Sequence, residues 1–308
     1  MNPGTTLLRC ASPFVFIAMS LYGLGCMADP EDPGWDPEGE VLGEAHLGSG
    51  GDPGTTNHLR YRVTHNHGVQ RTVRVIGNAA LAPSGFLPSM PDMPSPSAAG
   101  EWAGARVEFL EKLIGCALAE GTTVGDTGHI VGYMTSGGFS VPVFQQYHGE
   151  IGLAPDWSTR ALTTDEKRWV TACVVARTNR YGATINILLG GAHPEITYRA
   201  SEAYPYTVPE STVWGNMFDS TMPLGSNTDS TPAFNAYICS DVTFCSSAEG
   251  ATLRACDATY TPCGFSYMGL CDTFDAFCSD PLHSTFEGCS NRSYAIHSYL
   301  KASDATCP

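Results

Sequence analysis

The chain has 308 residues, a hydrophobic fraction of 43% and a formal net charge of -15 at pH 7. This negative charge repels the phosphates of DNA and RNA, so the composition excludes nucleic acid as a partner. The hydrophobic fraction is typical of a globular protein and excludes a chain that is disordered throughout.

The first residues, 1–25, have the pattern of a secretory signal peptide. Arg9 precedes a mostly apolar run that starts at Ala11 and is shorter than the roughly 20 residues needed to cross a bilayer. Cys26 follows this run, which predicts a cell-envelope lipoprotein held on the membrane by acylation of Cys26, for example with palmitate. Ala28 offers ordinary signal peptidase an alternative site, and in that case the protein is secreted without a lipid.

Three segments of different composition come next. Residues 26–57 are acidic, rich in Gly and Pro and without Lys or Arg, which predicts a solvated tether. Within residues 58–82 the alternation of apolar residues predicts two short strands around a turn at Asn66–Gly68, a β-hairpin. Residues 83–100 are rich in Pro, Ser and Met and are interpreted as a linker.

Residues 101–220 are predicted to form a small mixed α+β domain. Apolar residues at helical spacing indicate one helix over 104–118. A second helix begins at Thr163, where Glu166 completes a capping box, and it ends near Gly182. Strand-like runs begin at His129, Val141 and Ala183.

Ten cysteines follow Cys26, which predicts five disulfides and an oxidising compartment. Cys116 and Cys173 lie on the buried sides of the two predicted helices, so we expect a bond between them. The other eight lie within residues 221–308, which are predicted to form a disulfide-rich, loop-rich module of open connectivity. They are Cys239, Cys245, Cys256, Cys263, Cys271, Cys278, Cys289 and Cys307.

Five segments carry a resemblance to a known group of proteins. They are CALAEGTTV from Cys116, GEIGLAPDW from Gly149, DEKRWVTACVVARTNRYGATI from Asp165, VWGNMF from Val213 and CGFSYMGLCDTFDAFC from Cys263. In these segments the chain resembles an uncharacterised group of predicted exported lipoproteins of myxobacteria. The resemblance implies an envelope location and this order of domains, and it carries no activity and no catalytic residue.

Motifs of catalysis are missing from the sequence. There is no nucleophile elbow, no H-E-x-x-H and no phosphate-binding glycine loop, and TSGGFS at Thr135–Ser140 is interpreted as a turn between strands. We therefore expect a non-catalytic role with no cofactor and no metal. Weaker alternatives are a metal site at His58, His65 and His67, calcium at Asp272, Asp275 and Asp280, and a thiol nucleophile at Cys116 or Cys173.

The leading hypothesis is an envelope protein that binds a glycan or another envelope protein. The alternative is an extracellular hydrolase acting on carbohydrate, with carboxylates in an aromatic-lined cleft. Its candidate residues are Asp156, Glu195, Glu202, Trp157, Tyr198, Tyr204, Tyr206 and Trp214.

Overall fold

The structure is a computed structural model that describes eleven stretches of the chain. These are residues 55–56, 59–60, 67–81, 84–93, 104–179, 185–197, 205–219, 234–241, 265–279, 287–290 and 292–304. All of them belong to one compact unit, Glu44–Pro308. The predicted signal peptide and Cys26 lie outside the described residues.

The described residues form ten strands, five helices and three short 3₁₀ helices. The strands are β1 (Thr55–Thr56), β2 (Leu59–Arg60), β3 (Thr123–Ser136), β4 (Phe139–His148), β5 (Thr178–Asn179), β6 (Asn186–Gly191), β7 (Tyr206–Asn216), β8 (Asn235–Ser240), β9 (Ser266–Leu270) and β10 (Ile296–Lys301). The helices are α1 (His67–Ile76), α2 (Ala105–Ala117), α3 (Thr164–Ala176), α4 (Cys271–Ser279) and α5 (Glu287–Ser290). The 3₁₀ helices are Pro155–Ser158, Pro194–Ile196 and Arg292–Tyr294. The predicted α+β class is confirmed.

A six-stranded sheet has the order β1-β6-β10-β7-β8-β9. β8 and β9 pair in parallel, and the other neighbours pair antiparallel. The late strand β10 lies between β6 and β7, because its buried Ile296 and Leu300 join the main core. The boundary predicted between residues 220 and 221 therefore falls within one sheet, instead of separating a domain from a module.

Helix α3 covers one face of this sheet and begins where the sequence predicts. The Thr163 N–H donates to Glu166 Oε2 at 2.8 Å and the Glu166 N–H donates to Thr163 Oγ1 at 3.2 Å, which completes the capping box. The helix ends at Ala176 and not near Gly182, because Thr178 and the next residue form β5, which pairs with β2.

Three disulfides join described residues. Cys116 of α2 is bonded to Cys173 of α3 across 57 residues, as predicted. Closing a loop of this length stabilises the fold by about 4 kcal/mol in the chain-entropy model. The other two bonds are Cys239–Cys271 and Cys278–Cys289. Of the ten cysteines that follow Cys26, four lie outside the described residues, namely Cys245, Cys256, Cys263 and Cys307.

The N-terminal segments differ from expectation. Residues 67–76 form α1 where the second strand of the hairpin is predicted, because Val69, Val73 and Ile76 are buried at helical spacing while Val75 is exposed. Two residues at the end of the predicted tether form β1, which pairs with β6. Apolar residues of the predicted linker, Met90 among them, are buried in the core.

Candidate functional site

Strands β3 and β4 form a separate two-stranded antiparallel sheet, here called the ribbon (Thr123–Ser136 with Phe139–His148). Gly137 and Gly138 connect the strands with φ of 58° and 85°. Positive φ at both central residues is what a tight hairpin turn requires, and glycine adopts it without steric cost. The interpretation of TSGGFS as a turn between strands is confirmed.

The ribbon root (residues 123–126 with 145–148) is held firmly against helix α2. Arg106 of α2 donates from Nε to Asp126 Oδ2 and from Nη2 to Asp126 Oδ1, both at 2.6 Å. Asp126 also accepts from the Gly128 N–H at 2.9 Å and from the Tyr147 hydroxyl at 3.4 Å. Burial raises the pKa of Tyr147, so this phenol stays protonated and able to donate. A bidentate pair of this kind has strict geometry, and it fixes the direction of the ribbon.

The ribbon tip (residues 130–143) has the opposite character. It carries six of the nine large apolar side chains that are exposed among the described residues. Phe139 is 76% exposed, Tyr133 68% and Met134 56%, and the other three are Ile130, Val131 and Val141. Contiguous exposed apolar surface in a soluble protein marks a site of interaction.

Both faces of the ribbon tip are apolar. Met134 pairs with Val141 and Ser136 pairs with Phe139, so one face presents Met134, Val141 and Phe139. Tyr133 pairs with Pro142 on the opposite face. No Asp, Glu, Lys or Arg occurs over residues 127–147, in a chain whose net charge is -15. Sequence reasoning did not select these residues, although this long uncharged segment around a glycine turn was a visible signal.

A buried charge cluster lies beside the ribbon root. Lys112 of α2 is 1% exposed and its Nζ lies 2.8 Å from Glu111 Oε1, while Arg177 Nη2 lies 2.7 Å from Glu150 Oε2. Burial, reinforced by the charge of Arg177, lowers the pKa of Lys112 to about 8. An amine of this pKa is a competent nucleophile in principle, but its burial leaves no access for a substrate, so the cluster has a structural role.

A shallow cleft of about 370 Å³ lies on the six-stranded sheet. Its lining is Gly190, Gly191, Ala192, Ile196, Thr197, His297 and Tyr299. His297 Nδ1 is 2.8 Å from Thr212 Oγ1, and burial lowers the pKa of this imidazole. The lining contains no carboxylate, whereas glycoside hydrolysis uses two.

The residues of the carbohydrate hypothesis do not meet in one cleft where the structure describes them. Trp157 is fully buried against Phe218, and Trp214 is fully buried in a second cluster with Phe274. Tyr206 is buried as well. Asp156 is exposed in an ion pair with Arg160, and Glu195 lies in the 3₁₀ helix Pro194–Ile196. Tyr198, Glu202 and Tyr204 lie outside the described residues.

The structure bears on the thiol nucleophile and on one residue of the calcium site. Cys116 and Cys173 are bonded to each other, so neither is a thiol nucleophile. Asp275 is paired with Arg292, which competes with binding of calcium. Within the described stretches, no three residues of the types that ligate metals are grouped together. His58, His65 and Asp280 lie outside those stretches, and His67 opens α1.

No protein-family model, curated protein or solved structure matches this chain. The resemblance to exported lipoproteins therefore stays a prediction, and the site has to be argued from this chain's own residues. Disulfides are typical of proteins outside the reducing cytosol, so the three observed bonds indicate an extracellular or periplasmic compartment. Among the described helices, none is long and apolar enough to cross a membrane.

Proposed function

We propose that this is an exported cell-envelope protein with a non-catalytic interaction role, held on the membrane by a lipid on Cys26 and docking through the ribbon tip. The observation that carries the docking role is the exposed, uncharged tip, with Phe139 76% and Tyr133 68% exposed. A surface of this kind costs free energy in water, and the cost is recovered when a partner covers it.

The rigid root supports this proposal. A two-stranded ribbon is marginally stable by itself in water. Here the buried pair of Arg106 and Asp126 fixes one end of the ribbon to α2. The tip is then presented in one direction, and binding needs less ordering of the chain than a mobile loop would need.

The free energy that a partner gains by covering the exposed side chains of the tip is sufficient for docking. Covering one large apolar side chain contributes about 1.5–3 kcal/mol. Phe139, Met134 and Tyr133 together therefore supply several kcal/mol before the losses of association are subtracted. A free energy of this size suits a partner that is present at high local concentration. The lipid on Cys26 would supply that concentration by holding the protein at the membrane.

The test is retention on the envelope of the producing cell. A Cys26→Ala chain removes the lipid, so that retention then depends on the protein's other contacts. In this background we expect Phe139→Asp to release the exported protein into the medium. Val75→Asp is the matched control, because Val75 is also exposed, at 69%, is also apolar, and belongs to α1 and not to the ribbon.

Two results would contradict the proposal. Equal retention of the Phe139→Asp and Val75→Asp chains would show that the ribbon tip docks on nothing in the envelope. Recovery of the unmodified chain from the cytosolic fraction would contradict its export.

A further inference from the structure

We propose that the ribbon tip inserts into the interfacial zone of a lipid bilayer with electrically neutral headgroups. This inference rests on the proposed function, since it names the partner of the same surface. It also gives the protein a membrane contact that is independent of any lipid on Cys26.

The distribution of apolar groups around the tip argues for a partner that surrounds it. Met134 and Phe139 are exposed on one face, and Tyr133 is exposed on the opposite face. A flat protein partner would cover one face and leave the other in water. Lipid covers both faces at once, and Tyr is an aromatic side chain that is enriched at the membrane interface.

The charge of the segment selects the lipid. Residues 127–147 contain no Asp, Glu, Lys or Arg, so entry into the interface buries no charged side chain. The chain as a whole has a net charge of -15, which repels a surface of anionic headgroups. Neutral headgroups therefore suit both the tip and the rest of the chain.

The length of the outer part of the tip, residues 133–142, suits shallow insertion. Strands rise about 3.4 Å per residue, so Tyr133 lies roughly 10 Å from the end of β3 at Ser136. Interfacial segments commonly enter the boundary between headgroups and acyl chains by about 5–10 Å. At this depth water still reaches the outer edges of the two strands, which is necessary because no other described strand pairs with the ribbon at its tip.

Pairing with a second copy of the chain is the main competing use of the surface. Pro142 has no N–H to offer to a strand that joins β4 from outside. The register of the ribbon shifts between Asp126 and Ile130 and again before Gly132, which makes the edge of β3 irregular. A proline on an edge strand and an irregular register are both features by which proteins prevent pairing at strand edges.

The experiment places a polarity-sensitive fluorophore at the tip. The full chain carrying Cys26→Ala and Ser136→Cys is labelled with a nitrobenzoxadiazole group and mixed with phosphatidylcholine vesicles. We expect a blue shift and a rise in emission. Ser303→Cys, exposed beyond the end of β10, is the matched control position and should show neither. The chain without an added cysteine corrects for labelling elsewhere.

Substitutions then identify what surrounds the tip. Phe139→Asp should weaken vesicle binding by at least about tenfold, because it replaces an exposed apolar side chain that lipid would cover with a charged one. Thr135→Asp, on the opposite face, should weaken it as well, since lipid contacts both faces. Vesicles enriched in phosphatidylglycerol should bind more weakly than phosphatidylcholine alone.

Three results would overturn the bilayer proposal. One is an unchanged emission at residue 136 with phosphatidylcholine. The second is an emission change that occurs without lipid, increases with protein concentration and is unaffected by Thr135→Asp. Such a change would indicate that the tip binds a second copy of the chain. The third is tighter binding to the anionic vesicles. If the Phe139→Asp chain is nevertheless released from the envelope, the docking role stands with another partner. If it is retained like Val75→Asp, the docking role falls too.

Discussion

At the root of the ribbon, Asp126 and Tyr147 are buried and hydrogen-bonded, whereas at its tip Tyr133 and Phe139 stand in solvent. The same two strands therefore place a buried ion pair at one end and exposed apolar side chains at the other. Polar groups inside and apolar groups outside reverse the usual arrangement of a soluble protein. The root thus belongs to the stability of the fold, and the tip is available for binding.

The largest loss of stability is expected when the ion pair at the root is broken. In Asp126→Asn the buried Arg106 loses its carboxylate, and we expect the free energy of unfolding to fall by about 3–5 kcal/mol. Urea unfolding measures it. Asp92→Asn is the control, because Asp92 pairs with Arg71 in an exposed position, and it should lose far less. Equal losses in the two variants would mean that the buried pair does not hold the root.

The second effect concerns the buried charge beside the root. Lys112 has a pKa of about 8 in the folded protein against 10.5 ordinarily, so between these values the unfolded chain binds a proton that the folded chain has released. Stability should therefore rise with pH in this window, by about 1 kcal/mol per pH unit. Urea unfolding between pH 8.0 and 9.5 measures the slope, below the range in which tyrosines ionise.

Lys112→Met is the matched variant for this slope. It keeps an unbranched side chain of similar length and removes the titrating amine. A variant that retained the full rise of stability with pH would show that another group causes it.

The smallest effect on stability is expected at the tip. Phe139→Asp should change the free energy of unfolding by less than about 0.5 kcal/mol, because the ring has little contact to lose. The same change at the root, Val124→Asp, buries an aspartate at a position that is 1% exposed and should lower the free energy of unfolding by about 2–3 kcal/mol. Similar urea midpoints for the two variants would remove the distinction between root and tip.

Local signals allowed part of the fold to be predicted. The capping box at Thr163 and the apolar spacing of α2 and α3 depend on residues within one or two helical turns. The bond between Cys116 and Cys173 followed from the buried faces of these two helices. The turn at Gly137–Gly138 followed from its own residue types.

Long-range pairing accounts for most of what the sequence left open. β10 lies beside β6, and the two strands are separated by more than 100 residues of chain. Nothing within either segment identifies the other as its partner. In the same way, Val73 and Val75 alternate as a strand does, and α1 forms because Val69, Val73 and Ile76 can be buried together.

The α+β class, the two central helices with their disulfide, the hairpin turn and the lack of charge over residues 127–147 all follow from the residue types and their local spacing. The packing of the fold makes Tyr147, at one end of this uncharged segment, buried, and leaves the middle of the segment, around Phe139, exposed. The reason is physical, since composition sets what a surface would bind, whereas exposure depends on which other parts of the chain pack against it. At the root, α2 supplies Arg106 to cover Asp126, and at the tip Phe139 remains in solvent.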